Sequence, residues 1–122
     1  CLTHDHSVLR AQCDAGMIGS ASEGPVALRG LLTRAIGVEA DVVPDVTAFL
    51  LAPNDHYLLC SDGLTDMVPE VDIAEVLVML GGSPQVAAEH LVDLAIDRGG
   101  VDNVSVIVVS SCTSVRLGTE LG

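Results

Sequence analysis

Residues 58–66 read Leu58-Leu59-Cys60-Ser61-Asp62-Gly63-Leu64-Thr65-Asp66, an apolar run that ends in an acidic, glycine-containing turn. The continuous apolar character of residues 57–60 predicts a short strand covered on both faces. Pro53-Asn54-Asp55 predicts the turn that leads into this strand. The carboxylate of Asp62 is therefore expected at the exit of a buried strand.

The residues upstream of this stretch predict a short helix and a further strand. Ser7 is expected to cap a helix over residues 8–14, which Gly16 would end in a left-handed conformation. Residues 16–30 show little periodicity and predict a loop, which would act as a flap. The alternation of apolar residues in the range 42–50 predicts a strand.

The downstream residues predict two helices and a last strand. Apolar residues spaced three and four apart predict a helix over residues 69–80, and Ser83-Pro84 predicts the start of a second helix. The expected buried stripe of that second helix consists of Ala88, Leu91, Val92 and Ala95. β-Branched residues predict a strand over residues 104–109.

Two aspartates are the candidate metal ligands. Asp62 follows the strand at 57–60, and Asp102 precedes the strand at 104–109. If these strands pair antiparallel, both carboxylates lie at one edge of the sheet, where hard divalent cations could use their oxygens. Asp62-Gly63 and Asp102-Asn103 are also ordinary turn dipeptides, so spacing alone leaves a purely structural role open.

Four blocks of this chain resemble the type 2C family of metal-dependent protein serine/threonine phosphatases (PPM-type), especially its bacterial branch. Residues 58–66 resemble the segment around a metal-binding aspartate of that family, and residues 99–106 resemble its last metal-binding segment. Residues 32–37, Leu-Thr-Arg-Ala-Ile-Gly, and residues 2–7, Leu-Thr-His-Asp-His-Ser, are similar to two further blocks. The four blocks occur in the family's order.

The resemblance assigns roles to five residues. Asp62 and Asp102 would bind metal, Gly63 would let the backbone turn close to the site, and Asn103 would support the ligands from behind. Asp66 fits the motif as well, and we interpret its side chain as bonding to nearby backbone at a helix start rather than as a ligand. No catalytic residue is assigned beyond the metal ligands.

The resemblance also implies a fold, a chemistry and partners. The fold would be α+β, part of a four-layer α-β-β-α sandwich in which antiparallel sheets are flanked by helices. The complete domain would use two or more Mg²⁺ or Mn²⁺ ions to activate a water against phosphoserine or phosphothreonine. Its partners would be phosphorylated proteins, in opposition to a serine/threonine kinase.

The family's other metal ligands belong to an upstream Asp-Gly-x-Gly-Gly loop that this sequence lacks, since its one Asp-Gly is Asp62-Gly63. Residues 1–110 are thus expected to be the C-terminal portion of the domain, with the N-terminal half missing, and residues 111–122 a polar tail. The missing half or self-association would be needed for a full fold. The alternative is a non-catalytic, phosphatase-like remnant that binds a partner or a metal.

Charge and composition restrict the remaining possibilities. The 122 residues carry a net charge of −12, which disfavours nucleic acid and anionic membranes as partners because both are polyanions. The four cysteines form no CxxC pair, which indicates a reducing, cytoplasmic location. A zinc site of His4 and His6 with Cys1 or Cys13 is a further alternative, but no second regularly spaced pair supports it.

Overall fold

The computed structural model describes residues 1–20 and 23–112. The chain divides into two compact units, Cys1–Phe49 and Leu50–Gly122. The predicted polar tail lies outside the described residues from position 113 onward. Among the described residues, no helix has both the length and the apolar character needed to cross a membrane.

The first unit is built around a short helix and a bridge between two segments. Helix α1, Val8–Asp14, begins as predicted at Ser7, whose hydroxyl accepts a hydrogen bond from the Arg10 amide. Gly16 follows with a φ of 71°, the left-handed conformation that ends the helix. Ser7 forms an antiparallel bridge with Leu32, and a 3-10 helix covers Val26–Leu28 within the predicted loop.

An ionic cluster lies beside this bridge. The Nε2 atom of His6 is 2.6 Å from Oδ2 of Asp45, and Nη1 of Arg34 is 3.0 Å from Oδ1 of the same carboxylate. The hydrogen bond from His6, followed by that from Arg34, lowers the pKa of Asp45 below its ordinary value of 3.8.

The predicted strand over residues 42–50 is wrong. No strand forms there, and Val46 and Leu50 are 89% and 99% exposed. The apolar alternation is present in the sequence, but a strand needs a neighbouring backbone edge for its hydrogen bonds, and no described strand pairs with this segment.

The second unit contains an antiparallel pair of strands, as predicted. Strand β1, His56–Cys60, pairs with strand β2, Val106–Ser110, and Cys60 lies opposite Val106. The turn before β1 forms at the predicted place, with Asn54 at a φ of 66°.

Three helices lie between these strands in sequence: α2, Asp62–Thr65; α3, Glu70–Leu80; and α4, Pro84–Asp97. The last two match the predicted helices. After α4, the Gly99 and Gly100 amides donate to the carbonyls of Ile96 and Ala95, which is the hydrogen-bond pattern of a Schellman motif. These two glycines have φ values of 133° and 52°, so they redirect the chain from α4 toward Asp102.

The core lies between the helices and one face of the sheet. Its fully buried members include Leu64, Leu91 and Ala95. The buried stripe of α4 is Ala87, Leu91 and Ala95, so Ala88 and Val92 lie at its margin and not at its centre as predicted.

The residues that the structure describes leave the other face of the sheet largely exposed, contrary to the prediction that both faces of β1 are buried. Leu59 is 57% exposed, and Ile107 and Val109 are 59% and 48% exposed. The described helices cover only the face that carries Leu58, Val106 and Val108.

Candidate metal edge of the sheet

The candidate site lies at the end of the sheet where β1 ends, at Cys60, and β2 begins, at Val106. Asp62 is the first residue of α2, two residues beyond β1, and Asp102 lies four residues before β2. Because the strands are antiparallel, the predicted juxtaposition of these two segments at one sheet edge is confirmed. Both aspartates are solvent-exposed, so a cation could reach them.

The contact between the two segments is a close backbone approach at Gly63. A Cβ atom built on Gly63 would lie 2.3 Å from the carbonyl oxygen of Asn103 and 3.0 Å from its carbonyl carbon. The absence of a side chain therefore lets the start of α2 touch the turn that carries Asp102. The role that the resemblance implies for Gly63, a backbone turn close to a metal site, stays a prediction.

Side-chain hydrogen bonds fix both turns locally. Oδ1 of Asp102 accepts a hydrogen bond of 2.7 Å from the Asn103 amide, which leaves its other oxygen available. The carbonyl of Asp62 accepts bonds from the Asp66 amide at 2.8 Å and from Oγ1 of Thr65 at 3.3 Å. The Asp62 carboxylate makes no such bond in the described residues and faces solvent.

Asn103 contributes to this edge through its backbone, since its carbonyl contacts Gly63 and accepts a bond from Ser61. Asp66 does not start a helix as predicted, because α2 begins four residues earlier and Asp66 is its C-terminal cap. Strand β1 ends at Cys60, and α2 begins two residues later at Asp62.

Ser61 belongs to this edge and was missed as a site residue from the sequence. Its hydroxyl donates to the Asn103 carbonyl at 3.1 Å and accepts from the Ser105 amide at 3.0 Å. Its position inside the 58–66 block was the available signal, but only the structure shows the two bonds.

The donor set suits part of a hard-cation site. Carboxylate oxygens are the ligands that Mg²⁺ and Mn²⁺ prefer, and Asp62 and Asp102 offer two of them at one edge. Within residues 1–20 and 23–112, no group of three or more His, Cys, Asp or Glu side chains is arranged to hold a metal. The described residues thus offer two carboxylates at this edge and no complete ligand set.

The alternative zinc site has no support in the described residues. Nε2 of His4 is 3.0 Å from the Asp14 carboxylate, which also pairs with Arg10, while His6 pairs with Asp45. All four cysteines are free thiols, and no cysteine belongs to a group of ligands around either histidine.

Comparison with known proteins gives one consistent result. A family model described as protein phosphatase 2C matches residues 30–104. The serine/threonine phosphatase stp of Listeria monocytogenes is 35% identical over 108 residues, covering 88% of this chain and 42% of that protein.

Solved structures agree with this result. The serine/threonine phosphatase Stp1 from Staphylococcus aureus superposes with a TM-score of 0.78 at 31% identity, covering 89% of this chain and 42% of that one. The catalytic domain of the phosphatase PstP, solved in complex with two manganese ions, has a TM-score of 0.67 at 34% identity, covering 90% of this chain and 44% of that one. The predicted partial α+β fold is confirmed, and the chain spans less than half the length of these relatives.

Proposed function

The chain belongs to the protein phosphatase 2C family, and from that membership we propose that it is the C-terminal portion of a metal-dependent protein serine/threonine phosphatase. The relatives it matches are serine/threonine phosphatases. The proposed reaction is hydrolysis of phosphoserine or phosphothreonine by a metal-activated water, with no phosphoenzyme.

One observation carries this proposal: Asp62 and Asp102 lie on two segments that touch at one edge of a paired sheet. The β1–β2 register and the contact of Gly63 with the Asn103 carbonyl bring these segments together. Both aspartates fall in the blocks that resemble metal-binding segments of the family.

The chain's own contribution to the chemistry is to hold and orient carboxylate ligands for the metal ions. Divalent cations, when bound, lower the pKa of a water ligand and neutralise charge on the phosphoryl oxygens. Asp62 and Asp102 would supply carboxylate oxygens, the first from the start of α2 and the second from the turn before β2. The bond from the Asn103 amide to Oδ1 of Asp102 would orient that carboxylate.

The proposed site is shared with polypeptide outside these residues. Two carboxylates cannot organise two ions, and the Mn²⁺-containing relative is more than twice as long as the part this chain matches. We therefore infer that the remaining ligands come from an N-terminal half or from a second copy of the chain. Sedimentation of the chain over a range of concentrations would distinguish a monomer from a self-associating species.

The cellular context is part of the same proposal. Its substrates would be phosphoproteins, with a serine/threonine kinase as the opposing activity. A cytoplasmic location is supported by the four free cysteines. Fractionation of cells that express the natural protein would test this location.

The test of function is hydrolysis of p-nitrophenyl phosphate in Mn²⁺ by the 122-residue chain, together with the Asp102→Ala variant. Asp97→Ala is the matched control, because it also removes an exposed carboxylate, but from the end of α4 and not from the turn that contacts Gly63. The proposal expects that any turnover disappears in Asp102→Ala and persists in Asp97→Ala. Turnover that survives both substitutions would contradict the role of Asp102.

The absence of turnover in all three proteins would fit either a fragment that lacks its remaining ligands or the alternative of a non-catalytic module. The incomplete ligand set of the described residues is the observation behind that alternative. Reading the natural coding sequence upstream of Cys1 would then decide between them. An in-frame Asp-Gly-x-Gly-Gly segment supports the enzyme, and its absence supports the remnant.

A further inference from the structure

The hydrogen bonds of Ser61 depart from the ladder that β1 and β2 would otherwise continue. Extending the register by one pair beyond Cys60 and Val106 places Ser61 opposite Ser105. The Ser61 amide donates to the Ser105 carbonyl at 3.0 Å, as in a regular antiparallel pair. The return bond is different: the Ser105 amide donates to the Ser61 hydroxyl, at 3.0 Å, and not to the Ser61 carbonyl.

This exchange frees the Ser61 carbonyl for the helix. It accepts a bond of 3.2 Å from the Leu64 amide in the first turn of α2. A serine at a helix N-cap ordinarily uses its hydroxyl for that helix, but the Ser61 hydroxyl makes no capping bond. The hydroxyl thus accepts the hydrogen bond that the Ser61 carbonyl would accept in a regular ladder, while the backbone turns into the helix that begins at Asp62.

The same hydroxyl also donates a hydrogen bond to the segment that carries Asp102. Oγ of Ser61 donates to the Asn103 carbonyl at 3.1 Å, and that carbonyl also lies against Gly63. Ser61 directly precedes Asp62, and Asn103 directly follows Asp102. One side chain therefore ties together the two segments whose carboxylates the proposed site requires.

We propose that Ser61 is a positioning residue that fixes the separation of Asp62 and Asp102 for a divalent cation. The proposal rests on the proposed metal-dependent function. Ser61 touches no substrate; it acts through the backbone of its neighbours.

A second serine offers a matched control. The Ser111 hydroxyl also accepts from a backbone amide, that of Asp55 at 3.0 Å, and donates to a backbone carbonyl, that of Ala52. These bonds lie at the opposite end of the β1–β2 pair. Ser111→Ala therefore removes the same two kinds of bond without touching the Asp62–Asp102 edge.

The experiment is a Mn²⁺ titration of the isotope-labelled chain, in which paramagnetic broadening of the Asp62 and Asp102 amide signals reports binding. It needs no catalytic activity. Ser61→Ala is expected to need about 10-fold more Mn²⁺ for the same broadening, the lower end of losses seen when outer partners of metal ligands are removed. Ser61→Thr keeps the hydroxyl and should restore the parent response, and Ser111→Ala should leave it unchanged.

Two results would overturn the proposal separately from the function it rests on. If Ser61→Ala responds to Mn²⁺ as the parent does, while losing thermal stability as Ser111→Ala does, the serine is only structural. If Ser61→Ala fails to fold, Ser61→Cys takes its place, because a thiol has similar shape but is a weak donor and acceptor; a parent-like Mn²⁺ response in that variant contradicts the proposal. A parent chain that shows no Mn²⁺ response contradicts the metal site itself, and the role of Ser61 fails with it.

Discussion

Replacing Gly63 with alanine tests the close approach that joins the two aspartate-bearing segments. The added Cβ would lie 2.3 Å from the Asn103 carbonyl oxygen, whereas ordinary contact begins at 3.4 Å, so the two atoms must move apart by about 1 Å. The two closest atoms, the carbonyl oxygen and carbon of Asn103, are backbone, so no flexible side chain can relieve these contacts. Because the same carbonyl accepts the 3.1 Å bond from Ser61, its displacement is expected to weaken that hydrogen bond.

The expected magnitude combines three contributions. Overpacking costs about 1–3 kcal/mol, and loss of the hydrogen bond about 0.5–1.5 kcal/mol. Alanine is favoured over glycine in a helix by at most about 1 kcal/mol, and less in a helix as short as α2. Gly63→Ala is therefore expected to lower the free energy of unfolding by about 0.5–4.5 kcal/mol, measured by urea denaturation followed by far-UV circular dichroism.

Gly82→Ala is the control for this experiment. A Cβ on Gly82 would meet no atom within 4 Å, and Gly82 is not among the residues with positive φ. Its substitution is expected to change the free energy of unfolding by less than about 0.5 kcal/mol. Equal effects of the two substitutions would refute the argument that contact with Asn103 makes Gly63 necessary.

Three further predictions concern the core and two carboxylates. Leu91→Ala empties a fully buried position and should cost about 2–5 kcal/mol in the same denaturation assay. His6→Ala should raise the pKa of Asp45 toward 3.8, and Arg34→Gln should raise it less, in an NMR titration of the carboxyl carbon. Asp55→Asn should lower the raised pKa of Tyr57 toward 10.0, because the bond from the phenol to the Asp55 carboxylate is the main cause of the shift. Tyr57 is the only tyrosine, so tyrosinate absorbance reports it alone.

The signs of the two pH effects are opposite. The folded-state pKa of Asp45 is lowered, so its contribution to stability is present above its unfolded pKa and is lost as pH falls through the folded value. The folded-state pKa of Tyr57 is raised, so its contribution is present below its unfolded pKa and is lost as pH rises through the folded value. An Asp45 titration that His6→Ala leaves unchanged would contradict the contact between His6 and Asp45. A Tyr57 titration that Asp55→Asn leaves unchanged would contradict the contact between Asp55 and Tyr57. A loss of less than about 1 kcal/mol in Leu91→Ala would contradict the assignment of Leu91 to the core.

The sequence predicted the longer helices, whose formation depends on residues close together along the chain. Helices α1, α3 and α4 follow from apolar periodicity and from Ser7, Pro84 and the Gly99-Gly100 pair, all of which act within a few residues of the helix ends. The pairing of β1 with β2 could be predicted because two β-branched or apolar runs flank the helices. If the two runs pair antiparallel, as they do, Asp62 and Asp102 fall at one sheet edge.

What the sequence did not predict depends on partners distant along the chain. Residues 42–50 have a strand's alternation, but pairing requires an edge that the described residues do not supply. The role of Ser61 depends on Ser105 and Asn103, more than forty positions away, and no local pattern indicates such a bond. The start of α2 at Asp62 follows from the same exchange of hydrogen bonds, which explains why Asp66 ends a helix and does not begin one.

The uncovered face of the β1–β2 sheet bears on how long this polypeptide survives in a cell. Leu59, Ile107 and Val109 present apolar surface that chaperones and proteases recognise in incompletely assembled proteins. A copy whose sheet is covered by further polypeptide would escape this surveillance, and an uncovered copy would be degraded. The steady-state amount of the chain is therefore expected to rise with the amount of the polypeptide that covers the sheet. The abundance of the chain would then measure its assembly without an activity assay.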